Sequence, residues 1–236
     1  MKTKKKRFFC LLMGFSLISS VETRGQDTQG GNTWEEVRLA EQIPVATLSA
    51  MSTEELIQAY LNTRYPGYLL AYNNVQAAFE HACNDFNGLR ELLEREGAPQ
   101  KLIELYRKMD PAAYEPDWQP IEKGSFTFSF VFVEALLAHE SIQKKLTRSQ
   151  VTTLLNELLK KNEYKTRHPE IYSIIGVQFN AYSIARLLES KGKDSGISEV
   201  LSRSPGVSEL LTTGRLQNSD VLPIVIQKAQ EFLKMY

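Results

Sequence analysis

Beyond residue 30 a hydroxyl side chain is followed three residues later by Glu or Gln three times: Thr33-Trp34-Glu35-Glu36, Ser52-Thr53-Glu54-Glu55 and Thr147-Arg148-Ser149-Gln150. The hydroxyl can accept from the amide three residues on while the longer side chain reaches back, so the spacing marks a helix start. Met51 with Leu56, and Leu146 with Val151, stand where a hydrophobic staple would close the second and third of these boxes. Behind the marks, apolar residues return at three and four: Leu56, Tyr60 and Leu61; Leu89, Leu92 and Leu93; Leu102, Leu105, Tyr106 and Met109; Leu154, Leu155, Leu158 and Leu159; Ile184, Leu187 and Leu188; and a last run over 221–233. Breaks are short and explicit, at Tyr65-Pro66-Gly67, Asn73-Asn74, Gly97-Ala98-Pro99, Gly192 and Ser204-Pro205-Gly206. Nothing comparable alternates with period two, so the expected class is all-α.

The stretch GSFTFSFVFVEALLAHE, 124–140, tests that expectation. Phenylalanines at 126, 128, 130 and 132 alternate with Thr127 and Ser129 as in a strand, but the alternation fails at Val131 and Val133 and the apolar run continues to Ala138. At helical spacing Phe126, Phe130, Val133 and Leu137 form one stripe and Phe128, Val131 and Ala135 another. A helix apolar on most sides is enclosed by neighbours, whereas a lone strand among helices would have no ladder partner. A central buried helix is favoured, with a strand at 125–133 as the alternative.

Successive helices joined by short turns predict stacked antiparallel helix pairs forming an α-α superhelix, or an irregular helical bundle. Leu136-Leu137-Ala138 and Arg186-Leu187-Leu188-Glu189, each followed by a second apolar helix, resemble HEAT- and armadillo-type repeats in style over about 50–236, without a fixed period. Those families' motifs are absent, so none of their binding residues transfers. The segment MSTEELIQAYLNTRYPGYLLAYNNVQAAFEHACNDFNGLRELLER also resembles uncharacterised secreted helical proteins of bacteria, which implies a fold style and an envelope location but no activity. Pro111, Pro116 and Pro120 make 110–124 an irregular crossing within a single domain spanning 33–236, with Tyr114, Trp118 and Ile121 available to pack it down.

Lys2, Lys4, Lys5, Lys6 and Arg7 precede an uncharged apolar run over 8–21, the layout of an export signal. The run is shorter than the roughly twenty residues of a membrane-spanning helix. The expected signal is 1–25, followed by a polar lead-in at 26–32, and the processed chain is placed in the periplasm or outside the cell with no membrane span. Processing would leave 22 Lys+Arg against 27 Asp+Glu, a net charge of about −5, which argues against nucleic acid as a partner. It would also leave one cysteine, Cys83, and no internal disulfide; Cys10 sits near the start of the apolar run, not behind small residues at its end, which argues against lipid attachment.

Patterns that could carry chemistry break down one by one. His139-Glu140 starts like a zinc-protease helix, yet the second histidine would fall at Gln143, and His81 and His168 complete the histidine count. No metal site and no cofactor are expected. His81 and Cys83, two apart on a helix, point about 200° from each other, so Cys83 reads as a small apolar residue, while His81 and Asp85 can meet four apart. Ser141-Ile142-Gln143-Lys144 has the S-x-x-K spacing of penicillin-binding proteins, but no K-T-G follows and no sheet is expected. The 192–196 segment, Gly-Lys-Asp-Ser-Gly, has the wrong spacing for a nucleophile elbow.

The remaining surface feature is Tyr65, Tyr68, Tyr72, Asn73 and Asn74, grouped around turns. Tyrosines there either recognise a peptide or sugar or staple consecutive helices together. The sequence therefore favours an exported, non-catalytic helical protein that presents a face to a protein or glycan. Its rival is an envelope hydrolase assembled from Glu134, His139 and His168, or Cys83, on distant helices.

Overall fold

The computed structural model describes residues 41–216 and 220–236; the expected signal, the lead-in and the first capping box lie outside the described residues. Among the described residues there are thirteen α-helices, two 3₁₀ turns and no strand. The helices are α1 (Val45–Ala50), α2 (Thr53–Leu61), α3 (Tyr68–Ala71), α4 (Val75–Asp85), α5 (Asn87–Glu94), α6 (Ala98–Lys108), α7 (Pro120–Ala138), α8 (Glu140–Lys144), α9 (Arg148–Arg167), α10 (Ile174–Lys191), α11 (Ile197–Arg203), α12 (Pro205–Thr213) and α13 (Val221–Met235). The 3₁₀ turns are Tyr65–Gly67 and Pro111–Ala113. No helix among the described residues is long and apolar enough to cross a membrane.

Helix starts fall where the side chains can cap them. Glu55 N–H donates to Ser52 Oγ at 3.2 Å while Ser52 N–H donates to the Glu55 carboxylate at 2.7 Å, closing the box that opens α2. Thr147 and Gln150 do the same for α9. Pro99 and Pro205 stand in the first turns of α6 and α12, where the missing N–H costs nothing. The same preference shortens the irregular crossing: Pro120 opens α7 and Glu122 accepts from Gln119 N–H at 2.8 Å, so 120–124 is helical.

The 125–133 stretch is helix. In α7 every residue from Phe130 to Ala138 is buried, the enclosure that its apolar faces require. α10 lies against α7, α8, α9, α11, α12 and α13. Phe130 meets Tyr172, and Ser183 Oγ donates to Glu134 O at 2.6 Å, so α7 and α10 run parallel. α9 runs against α10, with Lys165 beside Gly176 and Asn162 beside Asn180. In a solenoid each pair touches only the next; a hub helix touching six others makes this an irregular bundle.

At its N-terminal side the chain is tied to the junction of α4 and α5. Ile43 N–H donates to Asn87 Oδ1 at 3.0 Å and Asn87 Nδ2 returns a bond to Ile43 O at 2.8 Å, so the amide side chain acts as a peptide-bond mimic. After α12 the chain turns at Gly214, whose φ of 74° is left-handed. A Cβ there would also lie 2.3 Å from Val75 Cγ2. Gly214→Ala is expected to cost about 2 kcal/mol from the left-handed backbone and the forced shift. Urea unfolding measures it, and an unchanged midpoint would mean that the turn is not built this way.

Candidate functional site

The charged chemistry of the fold is concentrated where α6, α7, α9 and α10 meet. Glu134 and Lys165 are both fully buried, and Lys165 Nζ donates to Glu134 Oε1 at 2.7 Å, to Oε2 at 2.9 Å and to Gly176 O at 3.2 Å. An ammonium has three hydrogens to give, and all three are used. The ammonium also stands 4.9 Å from the centre of the Phe130 ring and 5.8 Å from that of Tyr172, where ring quadrupoles favour a cation. Glu134 Oε1 further accepts from Tyr106 OH at 2.6 Å and Asn180 Nδ2 at 2.9 Å, and Asn162 Nδ2 donates to Asn180 Oδ1 at 2.9 Å.

Burial pulls the Lys165 amine below its ordinary value, against the opposing pull of Glu134. Burial first, and then the Glu134 charge, push the Tyr106 hydroxyl well up. The result is a closed network, a carboxylate and a cation whose donors all point at each other or at backbone. Such a constellation holds four helices in register. A nucleophilic amine would need a free lone pair, and a general base would need an approaching proton.

The residues of the hydrolase reading are engaged separately. His139 caps α8, its Nδ1 accepting from Ser141 N–H at 3.2 Å, and its ring meets Phe79 edge-on at 4.8 Å. Burial lowers its pKa to about 4. His168 stacks on Tyr164 and lies 3.0 Å from Glu170. Burial raises the Cys83 thiol to about 11, which keeps it protonated at neutral pH. Among the described residues no hydrogen bond, ion pair or ring contact joins any two of Glu134, His139, His168 and Cys83. In the S-x-x-K pattern, Lys144 pairs with Glu140 at 2.5 Å on the surface. Among the described residues there is no group of three metal-ligating side chains.

The tyrosines form a stack. Tyr65 is buried, donates its hydroxyl to Glu41, lies face to face with Phe86 at 5.6 Å and meets Tyr68 edge-on at 5.5 Å. Tyr68 OH donates to Asp85 Oδ2 at 2.9 Å, and Tyr72 stacks on His81 at 4.6 Å. Asn74 caps α4 by accepting from Ala77 N–H at 3.1 Å, and Asn73 is exposed. The structure thus brings the three rings together, with Tyr65 buried in packing, Tyr68, Tyr72 and the capping Asn74 partly exposed, and Asn73 exposed.

Two surface features remain. An open cleft of about 540 Å³ between α9 and α13 is lined by Leu159, Asn162, Glu163, Thr166, Leu222 and Ile226, and through Asn162 its floor touches the buried network. The other is the N-terminal half of α7. Residues 123–129 are only half-buried, Ile121 is 45 % exposed, and a Cβ at Gly124 would meet nothing within 4 Å. Trp118, in the crossing segment, packs on Phe126 at 5.2 Å and on Tyr114 at 5.9 Å. Sequence reasoning passed over Lys165, Tyr106 and Asn180. Comparison with protein-family models, with curated proteins and with solved structures returns no match.

Proposed function

We propose that the chain is an exported, non-catalytic helical protein that presents a face to a macromolecular partner. The observation that carries this reading is the contrast along α7. Its C-terminal half is sealed around a saturated ion-pair network, while its N-terminal half leaves aromatic and aliphatic side chains only partly covered. Apolar surface gathered in one place is what a binding protein offers. The placement outside the cytoplasm is supported by the basic residues and uncharged apolar run at 2–21.

The test is to tag the chain in its host, cross-link intact cells, and identify what is recovered from the envelope and medium. The expected result is a stoichiometric partner that survives stringent washing. Recovery of the chain alone, with hydrolysis of ester, amide or glycoside substrates that is abolished by Glu134→Gln while the fold is retained, would overturn the reading in favour of an enzyme.

A further inference from the structure

The open half of α7 carries two different edges. Ile121, Gly124 and Phe128, spaced three, four and seven apart, lie along one stripe of the helix. The stripe runs on to Phe132, which Phe128 stacks against at 6.1 Å. Trp118, Tyr114 and Phe126 form an aromatic shelf on another side. Where α7 enters the bundle, Ile174 stands 64 % exposed, two residues beyond the Tyr172 ring that packs on Phe130. The polar side chains between them are turned to their own backbone: Thr127 Oγ1 donates to Lys123 O at 3.1 Å and Ser129 Oγ to Phe126 O at 2.6 Å.

The segment that leads into this face is acidic. Between 109 and 123 the chain carries Asp110, Glu115, Asp117 and Glu122 against Lys123 alone, and all four carboxylates are exposed. Arg107 and Lys108, just before, sit at the C-terminal end of α6, where positive charge complements the helix dipole. An apolar strip with carboxylates in the segment leading into it matches a strip bordered by ammonium or guanidinium groups, and cations can also lie over the Trp118 and Tyr114 rings. The exposed carboxylates favour a cationic partner over a neutral glycan, which sets a glycan second.

Glu41, Gln42 and Ile43 are held beside α4 and α5, and α4 meets the last turn of α7 through Phe79 and His139.

We infer that the half-exposed N-terminal half of α7, with Trp118 and Tyr114 beside it, is the docking face for a basic amphipathic helix of a partner protein, its apolar side on Ile121 and Phe128 and its cations against Glu115 and Asp117. The inference rests on the reading of the chain as a binding protein and names the partner's chemistry.

Trp34→Phe leaves Trp118 as the sole tryptophan, and its emission reports the face in the chain as its host processes it. The probes are a helical peptide of leucine and lysine with one apolar side, the same residues scrambled, the leucine and glutamate counterpart, and chitohexaose. The expected result is a saturable shift with the leucine–lysine helix alone, weakened by salt. Gly124→Lys, which places bulk and charge in open space within a helix, and the pair Glu115→Lys and Asp117→Lys should each weaken it about tenfold or more, with melting temperature unchanged.

Equal response to the scrambled peptide, a response to chitohexaose instead, or binding indifferent to Gly124→Lys would overturn the inference. If a cross-linked partner is still recovered from cells and Gly124→Lys leaves that recovery intact, the face is wrong and the binding reading stands. If neither peptide nor cellular partner is held, both fall.

Discussion

Lys165→Met is expected to cost about 3–5 kcal/mol of folding free energy, because it leaves the fully buried Glu134 carboxylate with no cation. Methionine fills much of the volume of the lysine stem, so the loss is electrostatic more than steric. Domains of this kind are stable by only about 5–15 kcal/mol, and the variant should unfold at markedly lower urea. Adding Glu134→Gln to Lys165→Met should recover more than half of the loss: the amide oxygen still accepts from Tyr106 OH and Asn180 Nδ2, and neither position then carries a charge. A double-mutant cycle on urea midpoints gives the coupling. A cost below about 1 kcal/mol for Lys165→Met, or no recovery in the double variant, would mean that the pair is not closed as described.

That pair also marks the boundary of what could be read from the residues. Helix starts were legible because Ser52 with Glu55, and Thr147 with Gln150, act within one turn. The helical state of 125–133 was legible from stripes that no strand could sort onto two faces. Each half of the ion pair left a signal as well. Glu134 is the one charge in an apolar run, and Lys165 lies in phase with Val151, Leu154, Leu158 and Asn162 on the buried side of α9. Nothing local, however, says that residues 31 apart in sequence will meet, and so Glu134 could be taken for a catalytic carboxylate. The choice between superhelix and bundle was illegible for the same reason, since it depends on α10 reaching helices from both sides of it in the chain.

The tyrosine group shows a related limit. Composition and turn signals put Tyr65, Tyr68 and Tyr72 together, as the ring contacts of 5.5 Å confirm. Whether such a group faces solvent is decided by what else arrives. Phe86 and Glu41 reach Tyr65 from segments 21 and 24 residues away and turn it into core. The opposite happened at Ile121, expected to pack the crossing segment down and found 45 % exposed while Trp118 and Tyr114 did the packing.

Stability should fall by about 3 kcal/mol as pH drops from 6.5 to 4, and His139 should account for most of that fall. Its pKa is lowered from 6.5 to about 4, first by burial and then by Arg186 across the α10 contact, with neighbouring Glu140 pulling the other way. In that window the unfolded chain binds a proton at this imidazole and the folded chain does not, so the unfolded state gains as pH falls. Protonation at Nδ1 would also abolish the acceptor that caps α8 through Ser141 N–H. Carboxylates add to the loss from about pH 4.5 downward: Glu55, held low by its bonds to Ser52, and Glu140, held low by Lys144, contribute stability that is lost as pH falls from their ordinary value of 4.5 through each lowered folded value. His139→Asn separates the two effects. Asparagine keeps a cap acceptor but has no proton to take up, so urea unfolding followed from pH 7 to 4.5 should be nearly flat in the variant and steep in the parent chain. Parallel curves would show that the ring at position 139 is open to water and that the α8 cap is not buried against Phe79.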